Sequence, residues 1–258
     1  VLSLVVCFPS AVALVPPPGC YIAASLFEIG RVAAVGRKSL LPTYDVFDET
    51  RYFLVALAAT AAPAGGVGLT LGLSICEDSW NDKRFWDVTR YARDPIAELT
   101  GAGAALVVNV SASPYGLGKP ALRERMLGQS ARSHGAPIAY VNQVGGDDSL
   151  LFDGGSMLIG PGGGVLARAP LMEEALLVTG LDGSEAVVLG ADGSSGPPAP
   201  PPDGSPEGQA EEVFRALSMG LRAAVRKCGF ASAVVGLSGG IASALTACLA
   251  ADALEQRN

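Results

Sequence analysis

The sequence is short of charge. Only 17% of its 258 residues are Asp, Glu, Lys or Arg, and no stretch of five basic residues occurs among its 18 Lys and Arg. With 25 acidic residues and a net charge of -7, the chain has no electrostatic footprint for nucleic acid, which points to a small-molecule partner. Histidine is nearly absent. The five cysteines, Cys7, Cys20, Cys76, Cys228 and Cys248, form neither a CxxC pair nor a metal-ligand spacing with the single His134, which argues against a metal centre. An odd number of scattered cysteines also suits a reducing compartment, hence a cytoplasmic protein. Charge is missing altogether from Val1 to Phe27. Pro9, Pro16, Pro17 and Pro18 cut that run into pieces far shorter than the roughly 20 residues of a membrane span. No basic segment precedes it as in a signal peptide. Two buried strands joined by a turn are expected there, and no membrane partner.

What is present is apolar: 49% hydrophobic residues with 33 Gly and 18 Pro, enough for one large globular domain or two small ones. Val at position 1, and a helical pattern over the final residues with no Gly or Pro after it, lead us to expect a chain cut at both ends.

Short β-branched runs alternate with helical periods up to about Pro170. Strands are expected over 2–8, 21–27 and 31–38, with Glu28-Ile29-Gly30 as a turn, then over 68–76, 104–111 and 137–144. Helices are expected over 50–62, 95–100 and 120–134, the last stopping at Gly135. Residues 155–160 and 165–169 flank Pro161-Gly162-Gly163-Gly164, which reads as a β-turn and not a nucleotide loop. A Gly, Ser, Pro and Asp-rich stretch, including 197–202, reads as a linker. Beyond it a helix over 210–229 precedes a strand over 231–236. The expected organisation is a first domain over 1–188, a linker over 189–208, and over 209–258 the opening of a second domain, too short for a core of its own.

Two constellations carry chemistry. In Gly72-Leu73-Ser74-Ile75-Cys76-Glu77-Asp78-Ser79-Trp80 an apolar strand ends at a cysteine followed by two carboxylates. A strand cysteine is ordinarily inert core, but one at the C-terminal edge of an open α/β sheet faces the crevice where such folds bind ligands. A nearby cation makes it nucleophilic. Lys38, which closes the third expected strand, is the candidate cation, although a lysine after a strand is ordinarily a solvated end. The second constellation, Leu237-Ser238-Gly239-Gly240-Ile241-Ala242-Ser243, turns a strand into a helix and aims N–H groups at an anion. It is not a Walker A loop, because no Gly-Lys-Ser/Thr follows.

Five blocks fall in order: Lys38 with Leu41-Pro42-x-Tyr44-x-Val46-Phe47-Asp48-Glu49-x-Arg51-Tyr52-Phe53; Ile75-Cys76-Glu77-Asp78-x-Trp80; Asn109-x-Ser111-Ala112-Ser113-Pro114; Tyr140-x-Asn142-Gln143-x-Gly145-Gly146; and Phe152-Asp153-Gly154-Gly155-Ser156. Together they resemble the carbon-nitrogen hydrolase (nitrilase) superfamily and, within it, the glutaminase domains of glutamine-dependent NAD synthetases. The likeness runs from about Val5 to the end of the chain. It implies a nitrilase-type α/β/β/α sandwich, incomplete at its N-terminus, followed by a fragment of an α/β ATP pyrophosphatase domain.

The resemblance assigns Cys76 as nucleophile toward the side-chain amide of L-glutamine and Lys38 as stabiliser of the carbonyl oxygen. Tyr44, Ser113 and Lys119 match glutamine-holding positions, with Lys119 suited to an α-carboxylate. Glu49 and Glu77 are candidates for the α-ammonium group, or else ordinary carboxylates of the surface or the site's surroundings. The family's general base is a glutamate upstream of the lysine. The only acidic residue before Lys38 is Glu28, which sits in a turn and is not promoted to base. The base is therefore expected before Val1, and a chain without it should be nearly inactive. His134, at a helix end, is expected to be structural.

Ser238, Gly239, Gly240 and Ser243 resemble the Ser-Gly-Gly-x-Asp-Ser phosphate loop of ATP pyrophosphatases, with Ala242 in the acidic position. The parent activity so implied is amidation of nicotinic acid adenine dinucleotide to NAD, with ATP and Mg2+ used by the synthetase part and a homo-oligomer as the assembled form. Two alternatives stay open. A general nitrilase-type amidase would be told apart by its preference for simple amides over glutamine, and a non-catalytic remnant would be favoured by the missing glutamate and by Ala242.

Overall fold

The computed structural model describes residues 3–11, 19–66 and 68–255. Most of the stretch between the first two expected strands, and Leu2 at the start of the first, lie outside them. The first three strands, β1 (Ser3–Ala11), β2 (Cys20–Glu28) and β3 (Arg31–Arg37), form an antiparallel meander. Glu28 accepts from Ser3 Oγ at 2.7 Å and from the Gly66 N–H at 3.1 Å, so its carboxylate is spent on the β2–β3 end of this sheet.

A second sheet contains β4 (Thr60–Ala64), β5 (Leu69–Ile75), β6 (Leu106–Ser111), β7 (Ile138–Asn142), β10 (Met157–Ile159) and β11 (Val165–Arg168), in the order β11-β10-β7-β6-β5-β4. The β5-β6-β7 centre is parallel. Its connections run through α1 (Pro95–Gly101) and α2 (Lys119–His134), and between β7 and β10 lies a hairpin of β8 (Val144–Asp147) and β9 (Leu150–Asp153).

Period-2 alternation decides the layers. Leu71, Leu73, Ile75 and Leu106 face Ala24 and Leu26 of the meander, while Val107, Ile138, Tyr140 and Ile159 pack under Leu99, Met126 and Leu127 of the helices. A Cβ added at Gly36 would lie 2.7 Å from Leu73 Cβ, so glycine there lets the two sheets close. The result is three layers, helices on sheet on sheet, with Leu4, Val6 and Phe8 exposed on the far side of the meander.

The expected helix over 50–62 does not form. A 3-10 turn spans Glu49–Arg51, and the chain then extends into β4. The Leu54 and Ala56 N–H groups donate to the Cys20 and Lys38 carbonyls at 2.8 and 3.0 Å, and Ala61 and Ala62 pack toward opposite faces. Tertiary pairing overrides the helix preference of alanine.

The Pro161–Gly164 segment is the β10–β11 turn, closed by Gly160 N–H to Gly164 carbonyl at 2.9 Å. A further small sheet joins β12 (Ala175–Val178), β13 (Val187–Gly190) and β14 (Ser195–Gly196), so part of the proline- and glycine-rich stretch is strand. After it come α3 (Pro206–Lys227), capped by the Ser205 side chain at its N-terminus, and α4 (Ile241–Glu255). The strand expected over 231–236 is not formed, and Val234 is 98% exposed. No helix among the described residues is long and apolar enough to cross a membrane.

Candidate active site

The turn that follows β5, the segments after β3 and β6, the loop over 86–90 and the start of α2 converge on one pocket of about 340 Å³. Cys76 closes β5 and opens a 3-10 turn over Cys76–Ser79, with φ at +44°. That left-handed conformation is rare for a residue with a side chain. It is held by the Ser79 hydroxyl, which donates to the Cys76 carbonyl at 3.0 Å.

Asp78 ties this turn to the end of β3. Its buried carboxylate accepts from the Ser39, Leu40 and Ile75 N–H groups at 2.9, 2.8 and 3.1 Å. Burial pushes its pKa up to about 6 in spite of these donors, because a carboxylate away from water is penalised more than three amides restore. Asp78 thus fixes where Lys38 stands relative to Cys76.

Lys38 is 2% exposed, and its Nζ donates to both carboxylate oxygens of Glu49 at 2.7 and 2.5 Å. Glu49 stands at the head of its 3-10 turn, where the Tyr52 and Phe53 N–H groups donate to its carbonyl. Burial pushes the Cys76 thiol up. The Lys38 charge and the Ala112 N–H pull it down, while Glu77 and Glu49 push it further up. Burial prevails, so at neutral pH the sulfur is a thiol in need of a proton acceptor. Iodoacetamide at pH 7.5 should therefore label the exposed Cys228 and Cys248 at least about tenfold faster than Cys76. Raising the pH to 10 should close most of that gap, as followed by peptide mass spectrometry. Preferential labelling of Cys76 at pH 7.5 would mean that Lys38 outweighs burial.

Glu77 is buried and accepts from the Tyr44 hydroxyl at 2.8 and 3.0 Å and from the Tyr91 hydroxyl at 3.1 Å. Burial raises its pKa above the usual carboxylate range, an effect tempered by those two donors. Across the pocket, Lys119 is the first residue of α2, with its Nζ 5.6 Å from the centre of the Trp80 ring. Burial and then the Arg123 charge lower its basicity. Ser113 is buried beside it, its N–H donating to Asn142 Oδ1 at 2.9 Å.

Of the residues singled out in the sequence, Tyr44, Cys76, Glu77, Ser113 and Lys119 line the pocket together. Lys38 and Glu49 form the buried pair acting on Cys76. Ser238, Gly239, Gly240 and Ser243 lie elsewhere, on an exposed turn at the start of α4. There Ser243 Oγ accepts from Ser238 N–H and Oγ at 3.3 and 3.2 Å. His134 ends α2, with Nε2 3.8 Å from Asp94 Oδ2.

Sequence reasoning missed Asp78 as the brace, Tyr91 as the second hydroxyl on Glu77, and Arg90, whose guanidinium lies 3.5 Å over the Tyr44 ring at the pocket rim. It also missed Trp86, which stacks with Trp80 at 6.3 Å in the pocket wall. A usable signal was present in residues 80–91, where two Trp, a Phe and a Tyr stand among polar residues. A larger cavity of about 740 Å³ beside α3 and β13 contains none of the predicted site residues.

The sequence matches the carbon-nitrogen hydrolase family over residues 26–187 and NAD synthase over residues 213–258. It is 43% identical over 91% of its length to the glutamine-dependent NAD(+) synthetase of Synechocystis sp., and 37% identical over 92% to that of Thermotoga maritima. The chain spans 40% and 43% of the lengths of those two proteins. Its structure superimposes with a TM-score of 0.78 on glutamine-dependent NAD+ synthetase from Acinetobacter baumannii in complex with adenosine diphosphate, at 30% identity, over 98% of this chain and 43% of that one. A mutant amidase from Nesterenkonia sp. AN1, with the acetamide moiety of fluoroacetamide covalently added at its active-site cysteine, aligns at a TM-score of 0.53. That alignment has 25% identity and covers 66% of this chain and 57% of that one. The fold is the α/β architecture of these nitrilase-type proteins. Since the match extends over most of the three-layer unit and contains Lys38, Cys76 and Lys119, the chain belongs to the carbon-nitrogen hydrolase family.

Proposed function

We propose that residues 1–188 bind L-glutamine and release ammonia from its side-chain amide through a thioester on Cys76. The single observation that carries this reading is Cys76, held in a left-handed turn beside the buried Lys38–Glu49 pair, at a pocket with Lys119 at its other end. In the first step the sulfur adds to the amide carbon and the C–N bond breaks. The thiol proton leaves with the amine as ammonia. Water then adds to the thioester, the C–S bond breaks, and glutamate departs with the thiol restored.

Lys38 and the N–H that follows Cys76 offer donors to the oxygen that becomes negative. Lys119 and Ser113 suit the α-carboxylate, and Tyr44 and Glu77 the opposite end of the amino acid. Because both oxygens of Glu49 are taken by Lys38, we assign Glu49 to holding that lysine in place of the α-ammonium group. Glu77 and Glu49 are both engaged, so neither is a free base. With no free carboxylate base beside Cys76 among the described residues, a rate lower by about 10²- to 10⁴-fold is expected.

In a longer protein the ammonia would serve ATP-dependent amidation of nicotinic acid adenine dinucleotide to NAD, in the cytoplasm and as a homo-oligomer. Residues 189–208 would be the link, and residues 209–258 would open the synthetase domain. The turn Ser238–Ser243 offers N–H groups, two hydroxyls and the N-terminus of α4 to a phosphate. With Ala242 in the acidic position it offers no carboxylate, so its residues suit ATP phosphates and do not fit Mg2+.

The test is incubation with L-glutamine, reading ammonia and a glutamyl adduct by intact mass. Adduct in the wild type and none in Cys76→Ala is the expected outcome. Ammonia from acetamide but not from glutamine would favour the general amidase, and no adduct with either would leave a non-catalytic chain.

A further inference from the structure

We propose that Glu212, on α3 one residue before the stretch that matches NAD synthase, is a positioning residue for the pocket in the carbon-nitrogen hydrolase region, acting through Tyr115 on the segment that holds Ser113 and leads into Lys119. The ligand named below rests on the glutamine reading above. The positioning itself does not.

The segment between β6 and α2, residues 112–118, contributes Ser113 and Pro114 to the pocket and leads directly into Lys119. Its own structure is thin, with one turn bond from the Lys119 N–H to the Gly116 carbonyl at 2.9 Å. What fixes it comes from outside. Asn142 holds the Ser113 N–H, and the Leu151 carbonyl of β9 takes the Tyr115 N–H at 2.6 Å. The Tyr115 hydroxyl donates to Glu212 Oε1 at 3.0 Å, a bond between residues 97 positions apart in sequence. Two of these anchors, on β7 and β9, belong to the hydrolase region. The third is on α3.

The packing around that bond is close enough to transmit position. Met172, Ala216 and Met219 form a small apolar cluster against which Tyr115, Val144 and Leu151 pack. A Cβ at Gly146 would stand 3.4 Å from Gly220 Cα, and one at Gly220 would lie 2.6 Å from Leu151 Cδ2, so paired glycines let α3 settle directly on the β8–β9 hairpin. Arg215 reinforces the contact, donating to the Leu171 carbonyl at 2.8 Å and to Glu173 at 2.5 Å. α3 therefore cannot shift on the hairpin without pulling on Tyr115. Burial and the carboxylate both favour the protonated phenol, so the hydroxyl is a donor at neutral pH.

The experiment compares Tyr115→Phe, Glu212→Ala and Glu212→Gln in the full chain with two readouts. In hydrogen exchange followed by mass spectrometry, peptides covering 112–119 should exchange about 3- to 10-fold faster in Tyr115→Phe and Glu212→Ala. Peptides covering 73–80 at Cys76 should be unchanged. Glu212→Gln keeps an acceptor oxygen and should stay within twofold of wild type. Equal exchange over 112–119 in all three variants overturns the proposal, as does a uniform rise over both peptides, which would mean only general loosening.

Trp80 and Trp86 are the only tryptophans of the chain and both line the pocket. Their fluorescence therefore reports ligand there, and the apparent Kd for L-glutamine should weaken about 3- to 10-fold in the first two variants. Wild-type chain that gives the exchange result but no fluorescence response to glutamine overturns the glutamine reading and supports the positioning.

Discussion

Replacing Lys38 by methionine is expected to slow alkylation of Cys76 at pH 9 by at least about tenfold and to remove any glutamyl adduct. The thiol is already pushed up by burial, and Lys38 is the first influence that opposes this. Methionine removes that charge while filling the space. It also leaves Glu49, which has only 17% of its side chain exposed, with both oxygens unpaired and its negative charge acting on the sulfur unopposed. The loss should accordingly exceed that of a neutral site. The order of rates expected is Glu49→Gln at or above wild type, then wild type, then the double variant Lys38→Met/Glu49→Gln, then Lys38→Met alone. That non-additivity is the signature of two groups acting as one unit. Rates are read from the Cys76 peptide against Cys228 as internal reference. An unchanged rate in Lys38→Met would remove Lys38 from the chemistry and leave it as the partner of a structural carboxylate.

The second large effect is on stability. Arg123 of α2 and Asp153 of β9 form an ion pair with side chains 1% and 0% exposed. Arg123 also donates to the Tyr140 hydroxyl at 3.3 Å, and Asp153 accepts from Asn142 Nδ2 at 3.4 Å. Removing one partner leaves a charge buried without its counterion, which costs about 3–5 kcal/mol. Asp153→Asn and Arg123→Met should each lower the unfolding free energy by that amount in urea titrations. The double variant should cost clearly less than the sum, because no unpaired charge remains. Additive losses would show that the two side chains do not act as a pair. The site should feel the same change: Lys119 is one helical turn from Arg123, which depresses its basicity. Arg123→Met therefore relieves a like-charge neighbour of the proposed carboxylate-binding lysine.

Much of this was legible in the sequence, and the reasons differ by element. Strands such as β5 and β6 declare themselves by apolar runs, and α2 by its glycine stop at Gly135. The chemistry-bearing residues stand in compact blocks, so the pocket containing Tyr44, Cys76, Glu77, Ser113 and Lys119 could be listed before the fold was known. Residues 50–62 read as helix because propensity is local, whereas the Leu54 and Ala56 N–H groups bond to the Cys20 and Lys38 carbonyls far back in the chain. The Lys38–Glu49 pairing was likewise hidden. It depends on the chain reversing between β3 and the 3-10 turn, and no spacing rule encodes that. Arg90 and Tyr91 enter from a loop that doubles back over Glu77. The strand expected over 231–236 had the right composition, but strand formation requires a neighbour as well as a pattern.

The left-handed backbone at Cys76 sets the proposed chemistry against durability at a single position. A side chain in that conformation costs about 1–2 kcal/mol, a penalty that glycine escapes. Any selection for thermal robustness alone would favour glycine at residue 76 and would discard the sulfur in doing so. A cysteine in a left-handed turn of the pocket, where glycine would be the more stable choice, is what the proposed nucleophile requires.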